Sequence, residues 1–394
     1  LFQKEVFYSD CTDSEVHPEN LLYFDYSGFP SPSEKIKWVC LGNQPQSLLL
    51  NLYHALVAIT RGFIGVRNIQ QVIGVLCLAR IYVSFKAYSK TLEVYPDLKV
   101  ALIDYEILCP KALLLALEAR NIKTVAVQER FLATSYATLG SVLNTYLCAS
   151  EHAAVIAKKS SSYYADHYLS VGQYRSDNLV TARKSPPPQI LEAPIAQGRK
   201  IVTALGTHTH MDWYESQADP ALSWSAHRQF LEDMIRLSRD ISNVFIILRF
   251  KFVDWISLPV FADVIQEIES SENMIISVDY SKSFFSYDLC GHSHLVIARH
   301  TSLGDECMAV GIPVLFHEYT HNTQRIVVDV FDYSPARIMC FNYEELLDRS
   351  QIILSGDRHA MTSDYERLKE IVYGEFGDGK VRERIHAHVE SLLN

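Results

Sequence analysis

The sequence predicts an α/β fold made of two Rossmann-like doubly wound domains that face a central cleft. In both halves of the chain, short apolar runs alternate with stretches of helical periodicity. Apolar runs without polar alternation are typical of parallel strands that are covered on both faces. A proline-rich break separates the two series, and 394 residues are enough for two hydrophobic cores.

Residues 1–177 are predicted to form the first domain. Its first predicted strand is 35–42, and a helix is predicted at 47–61. Residues 69–85 have a weaker pattern, which we interpret as a helix followed by a strand. The regular alternation then predicts strands at 100–104, 123–128, 146–149 and 168–172 and helices at 110–120 and 152–159.

Residues 178–199 are predicted to be a linker between the domains. They contain Pro186, Pro187, Pro188 and Pro194 and have no apolar periodicity, which favours an extended, semi-rigid spacer. Residues 200–394 are the predicted second domain. Its predicted strands are 200–206, 243–250, 274–278, 294–299, 312–316 and 337–341. Its predicted helices are 225–240, 258–270, 281–290 and 343–354, followed by a helical stretch at 363–393 that is broken near residues 374–379.

The composition limits the class of protein. A net charge of −10 argues against a nucleic-acid partner, which would require a basic surface. The eight cysteines are scattered without a CxxC pair, a pattern typical of reduced thiols in the cytoplasm. No signal peptide opens the sequence. The apolar stretch 72–83 is interrupted by Arg80 and is predicted to be too short to cross a bilayer. The sequence therefore predicts a soluble cytoplasmic protein.

Residues 294–318 contain the most informative pattern. A buried strand at 294–299 is followed by the polar turn His300–Thr301–Ser302, a helix that ends at Gly311, and a second buried strand. The turn follows the carboxyl end of a strand, where open α/β sheets bind ligands. Helix-start amides favour an anion, and the hydroxyls add donors. Asp305 and Glu306 are suited to accept hydrogen bonds from sugar hydroxyls. We expect a diphosphate or a phosphate-linked nucleotide at this turn.

The run TSLGDECMAVGIPVLF resembles the donor-binding unit of GT-B glycosyltransferases. Cys307 stands where alanine is commoner in that family. The residues that fit the family pattern are Glu306, Met308, Ala309, Gly311, Pro313 and Val314.

This resemblance implies a metal-independent glycosyltransferase of bacterial surface polysaccharide (LPS O-antigen or capsule) biosynthesis. VAVQERF and the run above are similar to those transferases, and a Kdo-transferase-like or sialyltransferase-like relationship implies CMP-Kdo as donor. The His-Pro pair of several such groups is absent outside His17–Pro18, so UDP- and GDP-sugars stay open. The acceptor is expected to be an oligosaccharide or a lipid-linked glycan. The nucleotide-sugar is a substrate, so no cofactor is expected, and the enzyme is expected to contact the inner face of the cytoplasmic membrane.

The resemblance also indicates site residues. In a GT-B arrangement the loop after residue 206 faces the cleft, so Asp212 is a candidate catalytic carboxylate, with Glu129 at the end of a strand in the first domain. Either carboxylate would act as a base or as a nucleophile. Asp104 and Glu106 are the reserve pair. The predicted donor-binding residues are His208, His210, Arg249, Lys251, His300, Thr301, Ser302, Glu306 and Glu318.

Several other signatures are absent from the sequence. It has no Walker A sequence, no GxGxxG, no Gly-x-Ser-x-Gly and no Asp-x-Asp. We therefore expect no metal site, with Arg249 and Lys251 neutralising the donor phosphate instead. Two alternatives stay open: a two-domain sugar-nucleotide epimerase, and a non-catalytic nucleotide-sugar-binding module.

Overall fold

The computed structural model contains two parallel β-sheets with helices on their faces, which confirms the predicted α/β class. The described residues are 21–24, 37–38, 48–62, 66–103, 109–128, 142–159, 164–206, 223–250, 253–278, 285–299, 301–319, 337–356, 362–374 and 376–393.

The first sheet is formed by strands from the first half of the chain. Its order is β2-β1-β3-β4-β5-β6, and every described pair is parallel. The strands are β1 (Leu21–Phe24), β2 (Lys37–Trp38), β3 (Val100–Ile103), β4 (Lys123–Val127), β5 (Val142–Cys148) and β6 (Tyr164–Ser170). The helices of this half are α1 (Leu48–Gly62), α2 (Ile69–Leu92), α3 (Lys111–Glu118), α4 (Glu151–Lys159), α5 (Ser176–Lys184) and α6 (Gln189–Ala196).

The second sheet has the order β12-β11-β10-β7-β8-β9, again with parallel pairs. This is the doubly wound order, in which the chain builds one side of the sheet, returns to the centre and builds the other. The strands are β7 (Lys200–Leu205), β8 (Val244–Arg249), β9 (Met274–Ser277), β10 (Leu295–Ala298), β11 (Val314–His317) and β12 (Met339–Cys340). The helices are α7 (Trp224–Asp240), α8 (Ala262–Glu269), α9 (Phe285–Gly291), α10 (Ser302–Ala309), α11 (Tyr343–Ser355), α12 (Thr362–Tyr373) and α13 (Val381–Leu393).

Side chains from alternate strand positions fill the two faces of the second sheet. Val296 and Ala298 of β10 pack with α10 and α12, whereas Leu295 and Ile297 pack with α7, α8 and α11. This explains the continuous apolar run in the sequence, because both faces of the strand are covered.

Three expectations for the first half were wrong in detail. Residues 21–24 form a strand that the sequence pattern did not indicate. Residues 69–85, which were predicted to form a helix and then a strand, belong to the single 24-residue helix α2. The second half of α2 packs against α3 through Leu92, Phe85 and Tyr88, and this contact favours the helix. The prediction that the apolar stretch 72–83 is too short to cross a bilayer was also wrong, because the helix that contains it, α2, is long and apolar enough to do so by length and composition.

The predicted linker is largely helical. Residues 176–184 and 189–196 form α5 and α6, and the three consecutive prolines occupy the short connection between them. Pro194 lies within α6, where it is buried beside Leu191. An extended spacer is therefore not what these residues form, and the domain boundaries themselves stay predictions.

Helix α13 packs on the first sheet although it follows the second sheet in the chain. Val381, Ile385 and Val389 lie against strand residues such as Leu102 and Val125. Asp177 accepts hydrogen bonds from the backbone N–H groups of Val381 (3.2 Å) and Arg382 (3.0 Å), so α5 caps the start of α13. The end of the predicted 200–394 domain thus completes the layer of the other sheet.

Candidate functional site

The carboxyl edge of the second sheet contains a topological switch point between β7 and β10. From β7 the chain adds β8 and β9 on one side and β10 to β12 on the other. Crossover connections leave in opposite directions here, which opens a crevice where doubly wound proteins bind ligands. Gly206 follows β7 and Arg299 follows β10, so these two residues lie at the switch point.

Gly206 is needed at this edge for steric reasons. A Cβ atom on Gly206 would lie 1.8 Å from Cε1 of Phe250, a distance that no packing adjustment of a few tenths of an ångström relieves. The backbone therefore passes directly over the Phe250 ring as it leaves β7.

Helix α10 begins at the same edge, and its start is the strand–turn–helix that the sequence predicts. Thr301 is the N-cap, and its Oγ1 accepts a hydrogen bond of 3.4 Å from the Leu303 amide. Gly304 lies so close to the sheet that an added Cβ would be 2.9 Å from Ala298 Cβ and from the Phe316 ring. Thr301 and Ser302 are half-buried. The structure thus positions a helix start beside the switch point, and the phosphate contact of these residues stays a prediction.

Arg299 brings a buried positive charge to this edge. It was not among the site residues predicted from the sequence. The side chain is 3% exposed, and its guanidinium carbon lies 5.7 Å from the centre of the Phe230 ring. It lies directly after the four apolar residues of β10. A charged residue that ends an apolar run is the signal that would have indicated it.

His317 and Asp233 form a buried pair behind the same edge. His317 Nε2 is 2.8 Å from Asp233 Oδ2, and both side chains are almost fully buried. The His317 ring stacks on Tyr319 with 3.8 Å between centroids. Burial lowers the pKa of His317 below its ordinary value, although the carboxylate of Asp233 opposes this and Arg299 reinforces it. Asp233 lies within helix α7, far away in sequence, so no local pattern could reveal the pair.

Arg249 lies at the end of β8, as predicted, but its guanidinium bridges neighbouring elements. Nε donates to Ser286 Oγ at 3.0 Å, and Nη1 is 3.3 Å from both the carbonyl oxygen and Oγ of Ser277. The side chain is 6% exposed. These contacts fix β8, β9 and α9 to one another, and the predicted donor-phosphate contact remains a prediction.

The acidic residues of the α10 segment make contacts inside the protein. Glu306 is 1% exposed, and its Oε2 accepts a 2.6 Å hydrogen bond from the hydroxyl of Tyr287. Burial raises the pKa of that hydroxyl, and the neighbouring Glu306 charge raises it further. Asp305 accepts from Tyr373 Oη at 3.2 Å. Glu318 follows β11 and is also buried, and its backbone N–H donates to Cys340 O. The contacts of Asp305 and Glu306 with sugar hydroxyls, and the contact of Glu318 with the donor, remain predictions.

The other candidate residues belong to connections that lie outside the described residues. These are Glu129, His208, His210, Asp212, Lys251 and His300, together with the reserve pair Asp104 and Glu106. Among the residues that the structure describes, no group of three or more histidine, cysteine, aspartate or glutamate side chains could hold a metal ion.

Comparison with known proteins shows the fold class. The chain matches no family model. No curated protein matches it either. Among solved structures, the chain is similar to S. aureus MnaA in complex with UDP, with 12% identity, a TM-score of 0.55 and 95% and 97% of the two chains covered.

Two further structures are similar at the same level. The wall teichoic acid polymerase TagF with CDPG shares 11% identity over 96% of this chain and 89% of its own, with a TM-score of 0.53. A putative UDP-N-acetylglucosamine 2-epimerase from Listeria monocytogenes shares 13% identity over 79% of each chain, with the same TM-score of 0.53. Together with the two doubly wound sheets, these likenesses define the class of protein as an α/β protein with a GT-B-like fold.

Proposed function

We propose that this protein is a GT-B glycosyltransferase that moves a sugar from a nucleotide-activated donor to an acceptor glycan. The observation that carries the proposal is the carboxyl edge of the second sheet. There the start of α10 and the buried cation Arg299 lie beside the switch point between β7 and β10. Amides at a helix start and a buried arginine both favour the phosphate groups of such a donor.

The proposed donor is CMP-Kdo, with UDP- and GDP-sugars as the other candidates. The likeness to proteins whose structures contain UDP or CDPG supports a donor with a pyrimidine nucleotide. It does not select between a cytidine and a uridine donor. Thr301 and Ser302 would donate hydrogen bonds from their hydroxyls to the phosphate. His300, His208 and His210 are the further histidines proposed to contact the donor. The acceptor would be an oligosaccharide or a lipid-linked glycan, at the cytoplasmic face of a membrane.

In the proposed reaction the departing nucleotide takes the electron pair of the glycosidic bond. Asp212 or Glu129 takes the proton from the attacking acceptor hydroxyl, or one of them attacks the anomeric carbon first in a retaining double displacement. Arg299, Arg249 and Lys251 would supply positive charge to the leaving phosphate, so no divalent metal is required.

The first test is binding of CMP, UDP and GDP to the full chain by calorimetry and thermal shift, because a ligand that binds the native state raises its stability. Replacing Ser302 with Leu should weaken the best nucleotide by roughly 1–3 kcal/mol, the cost of leaving a buried polar group unpaired. Ser355→Leu, at the exposed end of α11, is the matched control and should bind normally. Equal affinity of both variants for every nucleotide would remove the phosphate site from this edge.

Turnover then separates the candidate activities. The proposed transferase should release free nucleotide only when an acceptor is present. Because its reaction requires no divalent metal, it should keep this activity in excess EDTA. In that assay Asp212→Asn and Glu129→Gln should each lower the rate by about 10²–10⁴-fold if both carboxylates act in the reaction.

An epimerase is the second candidate, and the likeness to an epimerase structure over 79% of the chain is the observation that favours it. It would convert one sugar-nucleotide into another without an acceptor and would leave the nucleotide attached. Tight nucleotide binding with no turnover under either condition would instead indicate a binding module.

A further inference from the structure

Helices α1 and α2 form an antiparallel pair on the first sheet's side of the molecule, which we call the α1–α2 hairpin (residues 48–92). They approach each other closely where Gly62 meets Val75, since a Cβ on Gly62 would lie 2.8 Å from Val75 Cγ1. The rings of His54 and Tyr82 pack edge to face at 5.9 Å.

The second half of α2 is anchored in the protein core. Leu92 is fully buried with Leu113 and Leu117, and Phe85 and Tyr88 pack against the same cluster. The hairpin is therefore attached to the first sheet's unit at this end, while α1 and the first half of α2 lie further out.

The outward face of the hairpin is apolar. Ile69, Ile73 and Leu76 are spaced i, i+4, i+7 on α2, so they lie on one face of the helix, and they are 70%, 55% and 50% exposed. Eight of the eighteen large hydrophobic side chains that are exposed in the described part of the chain belong to the hairpin. They are Leu50, Leu52, Tyr53, Leu56, Ile69, Ile73, Leu76 and Leu78. A patch of this kind marks an interaction surface.

The charge of the hairpin is opposite to that of the remaining chain. Residues 48–92 contain five basic and no acidic residues, whereas the other residues contain 31 basic and 46 acidic ones. The hairpin therefore has a net charge of +5 on a chain whose remainder has −15. The basic residues are Arg61, Arg67, Arg80, Lys86 and Lys90.

We propose that the α1–α2 hairpin docks the protein on an anionic lipid bilayer surface. Apolar side chains that flank basic ones are the combination that inserts shallowly between lipid head groups and is attracted to negative lipids. The acidic remainder of the protein would be repelled by the same surface, so the charge distribution also orients the molecule with the hairpin toward the bilayer.

Two other ways of covering the apolar face of the hairpin fit the observations less well. A second copy of the chain would bring two hairpins of the same positive charge together in an isologous contact. A transmembrane position for α2, which its length allows, would require the core cluster around Leu92 to come apart and would bring Arg80 to the middle of the bilayer. The helix is therefore expected to lie in the plane of the interface.

This inference is independent of the proposed reaction, and its test is independent as well. The full chain is mixed with vesicles of phosphatidylcholine alone or with one third phosphatidylglycerol, and binding is measured by flotation at low and high salt. We expect at least about tenfold tighter binding to the anionic vesicles, lost in high salt. Ile73→Glu combined with Leu76→Glu should lower that binding about tenfold or more, while nucleotide binding stays at the wild-type level.

Val155→Glu is the matched control, because Val155 is a 48% exposed apolar residue on α4, outside the hairpin. Cys77, the exposed cysteine among the described residues, provides a second readout. In a Cys11→Ser, Cys40→Ser background, an environment-sensitive fluorophore on Cys77 should shift to the blue with anionic vesicles. Wild-type binding that does not depend on lipid charge, equal binding of the double variant and Val155→Glu, or loss of a dimer in the double variant would overturn the proposal.

Discussion

At the scale of single residues, His227 shows how the core beside the candidate site is organised. It is fully buried in an aromatic box, with ring centroids 5.2 Å from Phe250, 4.6 Å from Trp255 and 5.1 Å from Phe261. Burial lowers its pKa to about 3, and the positive charge of Arg299 adds to this effect. The imidazole is therefore neutral in the folded protein at neutral pH.

This predicts an acid sensitivity that one substitution should reduce. The unfolded chain takes up a proton on His227 below about pH 6.5, whereas the folded protein does not until about pH 3. The free energy of unfolding should therefore fall as pH drops through this window, with a contribution of up to about 1.4 kcal/mol per pH unit from this histidine. His227→Phe should flatten the slope, as measured by urea unfolding between pH 7 and pH 4.

His386→Phe, on the exposed part of α13, is the control and should change the slope little. His317 contributes in the same direction because burial lowers its pKa too, so some slope should remain in His227→Phe. If the pH dependence of the free energy of unfolding were unchanged in His227→Phe, His227 would take up a proton in the folded protein as readily as in the unfolded chain.

Residue-level prediction from sequence succeeded where chemistry is local and failed where it is not. Thr301 and Ser302 were placed at a helix start by a strand–turn–helix pattern that spans only a few residues. Asp233 and His317 are 84 positions apart and meet only because α7 packs on the strand that ends at His317. No spacing in the sequence indicates that pair.

At the scale of elements, the β10–α10–β11 crossover depends on the close contact of Gly304 with Ala298 and Phe316. Gly304→Ala should gain helix propensity but lose more by forcing α10 away from the sheet, with a net loss of roughly 1–3 kcal/mol of stability. Nucleotide binding at the start of α10 should weaken in parallel. Chemical denaturation and calorimetry on the same variant would measure the two effects.

Gly74→Ala is the matched control for that substitution. Gly74 lies in helix α2 with no atom within 4 Å of the added Cβ, so alanine there should stabilise by about 0.5–1 kcal/mol. If Gly304→Ala were as stable as Gly74→Ala, the crossover would tolerate a larger distance between α10 and the sheet than the close contact of Gly304 indicates.

The elements themselves were predictable from periodicity over most of the chain. The predicted and observed strands of the second sheet agree within a few residues, because buried parallel strands have a distinct apolar signature. Periodicity failed at α2, where Ile81, Val83 and Phe85 favour a strand locally but α3 provides a helical packing surface. It also failed at α6, where the prolines led to the prediction of an extended linker, although the residues form a short helix whose Leu191 is fully buried.

At the scale of the whole molecule, helix α13 joins the two halves by returning to the first sheet. Ile385 is 3% exposed within that contact. Ile385→Ala should lower the free energy of unfolding by roughly 2–5 kcal/mol, the range for truncating a buried aliphatic side chain. Ile195→Ala, at a position that is 39% exposed, should cost much less. Equal losses in the two variants would mean that α13 contributes little to the first sheet.

The return of α13 also determines the order in which the chain can finish folding during synthesis. The strands of the first sheet leave the ribosome long before Val381, Ile385 and Val389, yet these residues cover their apolar side chains. Until the last turns of α13 emerge, Leu102, Val125 and Leu147 face solvent, so the nascent first unit exposes an apolar surface throughout translation of the second. A nascent chain stalled before residue 381 should therefore recruit a holdase chaperone, and a released chain that includes α13 should not.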